Sequence, residues 1–192
     1  MMVIRVEGNW HSGLAFDLHT VSSTHLGVDE FGHDRFENTR SEMGELVYQL
    51  KYRNDKASLP KIAALLDTVK GIENFDHIVP IPPTNKKRPF QPVELIAVAL
   101  GERRNVKVWK DLLINEGDEE LKGISDPVER NERLQKAIKL TSGANVAGTK
   151  ILLVDDLYRS GSTLRVATDL LYKIGKAEKV SVLTMTKTRS NR

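Results

Sequence analysis

The sequence predicts an α/β protein, a parallel β-sheet flanked by helices with a small β-hairpin at its N-terminal end. Three observations predict it. From residue 39 onward, short apolar runs alternate with amphipathic helical stretches, the pattern of a parallel sheet covered on both faces. One run, Ile151-Leu152-Leu153-Val154, is apolar without a break, as a strand buried on both sides requires. The first 36 residues lack the alternation and instead offer two β-prone stretches around Gly8, Asn9 and Gly13.

The elements follow in order. Met2 to Val6 and Leu14 to Thr20 form the hairpin, and the polar stretch Ser22 to Phe36 reads as loop or edge structure. Thr39 to Lys51 is a helix, with Thr39 and Glu42 as a capping box and Met43, Leu46, Val47 and Leu50 on one face. A second helix starts at Ser58 and turns Leu59, Ile62, Ala63, Leu66 and Val69 inward. His77 to Ile81 is a strand, Val93 to Arg103 a helix and Val106 to Trp109 a strand. Asn115 to Ser125 reads as a mobile loop, and Val128 to Ile138 as a helix opened by Asp126 and Pro127. Lys150 to Val154, Ser162 to Ile174 and Val180 to Thr186 complete the chain as strand, helix and strand, with Gly175 ending the helix.

With 192 residues the chain suits a single domain, residues 1–40 forming a hood or extension and residues 41–192 the core. Hydrophobic content of 40% and charged content of 29% are those of a globular protein. No apolar run approaches the ~20 residues that span a bilayer, and no signal-peptide pattern opens the sequence, which points to a cytoplasmic protein. Absence of cysteine excludes disulfides and thiolate zinc sites. A net charge of +3 and 6% aromatic residues argue against a nucleic-acid partner.

The chemistry concentrates in Ile151 to Thr163, ILLVDDLYRSGST. Asp155 and Asp156 follow the apolar strand, where open α/β sheets bind ligands. Two adjacent carboxylates suit a sugar diol, each hydroxyl donating to one of them, and a Mg²⁺ ion held directly or through water. Arg159, Ser160, Gly161, Ser162 and Thr163 then lead into a helix N-terminus, where backbone N–H groups and the helix dipole attract an anion. Diol recognition followed within a few residues by phosphate recognition describes a ribose 5-phosphate. The sequence has no Gly-Lys-Ser/Thr of a Walker loop and no G-x-G-x-x-G.

The run VDDLYRSGST resembles the signature of the type I phosphoribosyltransferases, with Arg159 where a Thr is often found. Within that family the chain is similar to the ComF-like branch over about residues 45 to 190. Leu50-Lys51-Tyr52-Arg53-Asn54-Asp55 resembles its LKYRGD. Val79-Pro80-Ile81-Pro82, Lys86-Lys87-Arg88 and Phe90-Gln91 resemble its VPVP, basic cluster and GFNQ. Gly123-Ile124-Ser125, Glu129-Arg130, Leu134 and Ala137 resemble its GLS, ER, NL and GAF segment, with Arg133 in the Asn position. The cysteine zinc ribbon usual at that branch's N-terminus is missing, and residues 1–36 stand in its place.

The resemblance implies a type I phosphoribosyltransferase fold and an enzyme that uses 5-phosphoribosyl-1-pyrophosphate and Mg²⁺ to transfer phosphoribose to a nitrogen acceptor, releasing pyrophosphate. Residues 159–163 hold the 5-phosphate on this reading, and Asp155 and Asp156 hold the ribose hydroxyls and Mg²⁺. Pro82, Pro83 and Thr84 shape the pyrophosphate turn, Lys86, Lys87 and Arg88 supply its charge, and Lys122 and Arg130 meet it when the loop closes. Lys51 and Arg53 either enter the site or cap their helix; both readings stay open. The acceptor is unspecified, and a homodimer is compatible. The alternative is a non-catalytic protein that binds the donor as a sensor, linked to competence or nucleic-acid metabolism. A second constellation, His11, Asp17, His19, His25, Asp29, Glu30, His33 and Asp34, is a conceivable metal site, though no spacing in it matches a ligand rule. Trp10 and Trp109 read as packing residues and Arg103-Arg104 as helix-end cations.

Overall fold

The computed structural model describes residues 3–117 and 126–189. Six strands make the central sheet: β1 (Ile4–Arg5), β2 (Ser12–Leu18), β5 (His77–Pro80), β6 (Lys107–Val108), β9 (Lys150–Tyr158) and β10 (Lys179–Lys187). Their order across the sheet is β1-β2-β10-β9-β5-β6. All pairs are parallel except the first, where Ile4 faces Ala15 and Arg5 faces Leu14 antiparallel. The predicted hairpin is present, and its second strand also pairs parallel with β10.

Residues 22–36, read from the sequence as loop or edge structure, are strand at 22–28 and 34–36 with a turn at 29–33 between them. The strand residues belong to β3 (Thr20–Val28) and β4 (Asp34–Arg40), a separate antiparallel pair with register shifts between Thr20 and Ser22 and between His25 and Val28. Thr20, Val21, Thr24, Val28, Phe36 and Thr39 carry the β propensity. The stretch reads as polar because nearly every side chain on the pair is exposed.

Helix α1 (Glu42–Tyr52) begins later than the predicted capping box. Thr39 is consumed by β4, opposite Ser22. Ser41 caps instead: its Oγ accepts from the Gly44 N–H at 3.0 Å and donates to the Leu18 carbonyl at 2.5 Å. A tertiary contact to β2 thus chose the cap over the local motif.

Helices α2 (Ser58–Leu66) and α3 (Pro92–Arg104) join α1 on one face of the sheet. There Met43, Val47, Leu50, Ile62, Leu66, Ile96 and Leu100 pack on Leu152 and Val154. Arg103 and Arg104 sit at the end of α3 as expected, but they serve α2. The Arg104 guanidinium donates to the carbonyls of Leu66, Asp67 and Val69 at 3.1, 2.7 and 2.8 Å, and Arg103 pairs with Asp67.

The opposite face carries α4 (Pro127–Ala137) and α5 (Ser162–Lys173), with Leu134, Leu164, Ala167 and Leu171 against Ile151 and Leu153. A short antiparallel pair, β7 (Leu113–Asn115) and β8 (Ile138–Leu140), flanks α4. Two boundaries are corrected here. Asn115 ends a strand rather than opening a loop, and Ile138 starts a strand rather than ending a helix, because Leu113 and Ile138 are both drawn into the core. No helix among the described residues is long and apolar enough to cross a membrane.

One feature of the topology positions the site. After β5 the chain passes through α3 on one face to β6, and after β9 it passes through α5 on the other face to β10. The neighbouring strands β5 and β9 therefore send their connections apart at their carboxyl ends. That divergence opens a crevice, the place where open α/β sheets take ligands.

Candidate functional site

A cavity of about 300 Å³ lies in that crevice. Asp155, Asp156 and Thr163 line it from the β9 side, Pro82, Pro83, Thr84 and Arg88 from the β5 side, and Lys51 and Tyr52 from the end of α1. The structure therefore brings together residues from three of the segments singled out in the sequence.

The acidic pair does not follow the strand, as the sequence suggested, but lies within it, because β9 continues to Tyr158. Parallel pairing with β10 holds that extension, with Asp155 opposite Thr184 and Leu157 opposite Thr186. The two neighbours have different surroundings. Asp156 is buried at 6% exposure, and its Oδ2 is in ion-pair contact with the Lys51 Nζ. Burial works against the charged ammonium of Lys51, yet the charge and hydrogen bond of Asp156 outweigh it and raise the pKa. Lys51 thus belongs to the site, and Arg53 does not line the cavity.

Among the described residues Asp155 has no such partner in ion-pair contact. Its Oδ1 accepts from the Asp156 N–H at 2.8 Å. Burial, and then the charge of Asp156, push its pKa up to about 7, against smaller opposing effects of that hydrogen bond and of Lys51. A carboxylate in this state favours any cation or hydroxyl donor that reaches it.

The 159–163 segment turns sharply into α5. Gly161 is the N-cap residue, with φ of 73°. A Cβ there would stand 2.8 Å from the Tyr158 ring, so glycine is required on both counts. Ser160 and Ser162 share a hydroxyl hydrogen bond of 3.0 Å. Thr163 lines the cavity, whereas Arg159, Ser160, Gly161 and Ser162 stand beside it, Arg159 exposed.

On the β5 side, Lys86 and Lys87 are exposed and outside the cavity. The turn is organised by Asn85, whose Oδ1 accepts from the Lys87 N–H at 3.0 Å and whose carbonyl accepts from the Gln91 side chain at 3.2 Å. Lys122 and the side chain of Arg130 lie outside the described residues.

Sequence reasoning gave no site role to Tyr52 and Gln91, which it named only for the resemblance, and missed Asn85, Glu94 and Lys110; all five line the cavity. Lys110, paired with Glu94 at 2.9 Å, was detectable, because it follows the carboxyl end of a parallel strand just as Thr84 does. The N-terminal His and Asp residues do not converge. His25 pairs with Asp34 and His33 with Asp29, while the His19 Nδ1 is 3.2 Å from the Thr186 hydroxyl. Among the described residues no group of three or more His, Asp or Glu side chains is placed to hold a metal. A second, more open cleft lies where the β3–β4 hairpin meets the end of β10, lined by His19, Ser23, Phe36 and Asn38.

No protein-family model matches the chain, and no curated protein matches it. Among solved structures, adenine phosphoribosyltransferase from Thermoanaerobacter pseudethanolicus is 12% identical with a TM-score of 0.47, the match covering 88% of this chain and 95% of that one. A hypoxanthine-guanine phosphoribosyltransferase from Bacillus anthracis is 18% identical with a TM-score of 0.42, covering 81% and 76%. UMP synthase from Leishmania donovani is 16% identical with a TM-score of 0.40 over 88% of this chain, which spans 29% of that protein's length.

Proposed function

We propose that the chain is a phosphoribosyltransferase that binds 5-phosphoribosyl-1-pyrophosphate in the crevice between β5 and β9 and transfers phosphoribose to a nitrogen acceptor. One observation carries the reading. An acidic pair of which Lys51 engages only Asp156, Thr163 from the first turn of α5 and a proline-rich turn with an arginine line one cavity at the divergence of two parallel strands. Those three parts match the three parts of the donor: ribose hydroxyls, 5-phosphate and pyrophosphate.

In this scheme Asp155 and Asp156 accept hydrogen bonds from the ribose hydroxyls. The α5 N-terminus with residues 159–163 holds the 5-phosphate, Thr84 and Arg88 hold the pyrophosphate, and the exposed Lys86 and Lys87 attract it from outside the cavity. The resemblance to the type I phosphoribosyltransferases implies Mg²⁺. The donor set fits an ion of that kind: hard carboxylate oxygens, too few for a cage made of protein alone, so that substrate oxygens and water complete the shell. Asp155 would hold the ion, with Asp156 second because Lys51 already engages it. When bound, Mg²⁺ supplies charge neutralisation for the departing pyrophosphate.

Breaking the bond at the anomeric carbon builds positive charge on the sugar and negative charge on the pyrophosphate. The chain's own residues contribute positioning and preorganised charge, and no covalent nucleophile is required. The acceptor enters from the hood side, where the cleft under the β3–β4 hairpin offers an imidazole, a hydroxyl, an aromatic ring and an amide.

The test is calorimetry with the donor and Mg²⁺, followed by a pyrophosphate-release assay across a panel of bases and amines. Saturable donor binding, abolished in the Asp155→Asn/Asp156→Asn protein, is expected. Unchanged binding in that variant, or none in the wild type, overturns the reading. Donor binding without release on any acceptor identifies a sensor in place of an enzyme.

A further inference from the structure

The loop that precedes α5 is held from behind by a part of the chain far away in sequence. The Arg165 guanidinium spans the gap. Its Nη1 donates to the Ser160 carbonyl at 2.6 Å and its Nη2 donates to the Glu7 carbonyl at 3.1 Å. The Tyr158 hydroxyl donates to the same Glu7 carbonyl at 3.3 Å. Asn9 ties the segment to α5 a second time, its Nδ2 donating to the Arg165 carbonyl and to Asp169 Oδ1, both at 2.9 Å.

Trp10 forms the floor of this arrangement. It is 7% exposed, its indole N–H donates to the Val6 carbonyl at 3.0 Å, and its ring lies 5.7 Å from the Arg165 guanidinium and edge-on to Tyr158 at 6.3 Å. Two glycines make room for it. A Cβ on Gly8 would stand 2.4 Å from the Trp10 ring and one on Gly13 2.3 Å from its nitrogen.

We propose that Arg165, braced by Glu7 to Trp10, is a positioning residue that fixes the direction in which the 159–161 loop presents its amides to an anion. A trans peptide points its N–H opposite to its C=O. Anchoring the Ser160 oxygen on Arg165 therefore also fixes the Gly161 N–H, which belongs to the same peptide unit. Gly161, with its positive φ, would otherwise leave that unit free to rotate. A guanidinium gripping two carbonyls in a fork is well suited to the task, and a charge-assisted bond of this kind resists the pull of a bound phosphate. Arg159, the arginine that the sequence singles out, is exposed like Arg165, but among the described residues it makes no comparable contact with the loop's backbone.

The inference rests on the donor reading above, and the experiment separates the two. Calorimetry with ribose 5-phosphate probes the α5 end of the cavity, and inorganic pyrophosphate probes the β5 end. Arg165→Met is expected to weaken ribose 5-phosphate by about tenfold and to leave pyrophosphate unchanged. Asn9→Ala, which cuts the tether from an exposed position, shifts the same affinity in the same direction by less, and Arg165→Lys restores part of it. In a Trp109→Phe background Trp10 is the sole tryptophan, and its emission is expected to respond to ribose 5-phosphate and not to pyrophosphate. Wild-type affinity for ribose 5-phosphate in Arg165→Met overturns the inference and leaves the donor reading standing. Equal loss of both ligands overturns it too, since that is what general loosening of the fold produces. No ribose 5-phosphate binding by the wild type overturns the donor reading and the inference together.

Discussion

The β9 wall of the cavity is pinned at several points, and the β5 wall is not. On the β9 side Lys51 grips Asp156, Arg165 grips the loop carbonyl of Ser160, and Thr186 donates to the Asp156 carbonyl at 3.0 Å. On the β5 side the Ile81 N–H still donates to the Val154 carbonyl at 2.9 Å, but beyond it the turn is organised mainly by its own Asn85 and Gln91. To these it adds a long contact of 3.4 Å from Asn115 to the Pro83 carbonyl and looser ring contacts of Arg88 with Tyr52 at 5.8 Å and of Lys56 with Phe90 at 4.9 Å, and its lysines are exposed. The difference matches the two ends of the proposed donor. Ribose 5-phosphate keeps its shape through the reaction, so a rigid wall loses nothing by being preorganised. Pyrophosphate is the group that leaves, and long cationic side chains on a less constrained turn let it arrive and go.

Cutting the Lys51–Asp156 pin has the largest expected effect. Lys51→Met leaves the buried Asp156 carboxylate without its cation, and breaking a largely buried pair in this way costs about 3–5 kcal/mol. Urea denaturation measures it. Replacing both partners, as in Lys51→Met/Asp156→Leu, is expected to recover most of the loss, because the penalty comes from the unpaired charge rather than from the missing bond. A single-variant cost near that of an exposed ion pair would mean that the β9 wall is not pinned there.

Asp155 gives the next largest effect, and it depends on pH. Its pKa in the folded protein is raised from 3.8 to about 7. Between those values the folded state holds a proton that the unfolded state has released, so stability falls as pH rises through this window. Above it, a charged Asp155 disfavours the fold. Asp155→Asn is therefore expected to melt a few degrees higher than wild type at about pH 8, with the gap closing toward about pH 4. Melting curves across that range decide it, and parallel curves would show that Asp155 is already compensated. Mg²⁺ with the donor should erase the wild-type deficit at high pH.

These effects also show which parts of the site were legible in the sequence. The apolar run 151–154, the acidic pair and the glycine loop are contiguous, so local chemistry revealed them; the sheet they belong to followed from the alternation of strands and helices. What stayed hidden was set by distant partners. Lys51 looked equally like a helix cap until Asp156 was seen beside it, and Arg165 sits in an ordinary amphipathic helix. Polar residues usually end a strand, so the sequence alone puts the acidic pair beyond it. Here a partner on each side of the extension keeps it in the sheet: Thr184 faces Asp155, and Lys51 neutralises Asp156. The β3–β4 hairpin read ambiguously because both its faces are wet, so the hydrophobic alternation that marks a strand is absent.

The smallest effect belongs to the unpinned wall. Lys86→Ala/Lys87→Ala removes two exposed charges outside the cavity, and melting should stay within about a degree of wild type, since exposed charges contribute little to stability. On the proposed donor reading their contribution is long-range attraction, which salt screens over about 10 Å at 0.1 M. Donor affinity should therefore fall about two- to fivefold at low salt and converge with wild type as salt is raised. Arg88→Ala, which removes a side chain that lines the cavity, should cost more, and its cost should persist in salt. Calorimetry at two ionic strengths separates these outcomes. A salt-independent loss in the double lysine variant would mean that those side chains fold into the cavity on binding and that the β5 wall, too, has a fixed bound geometry.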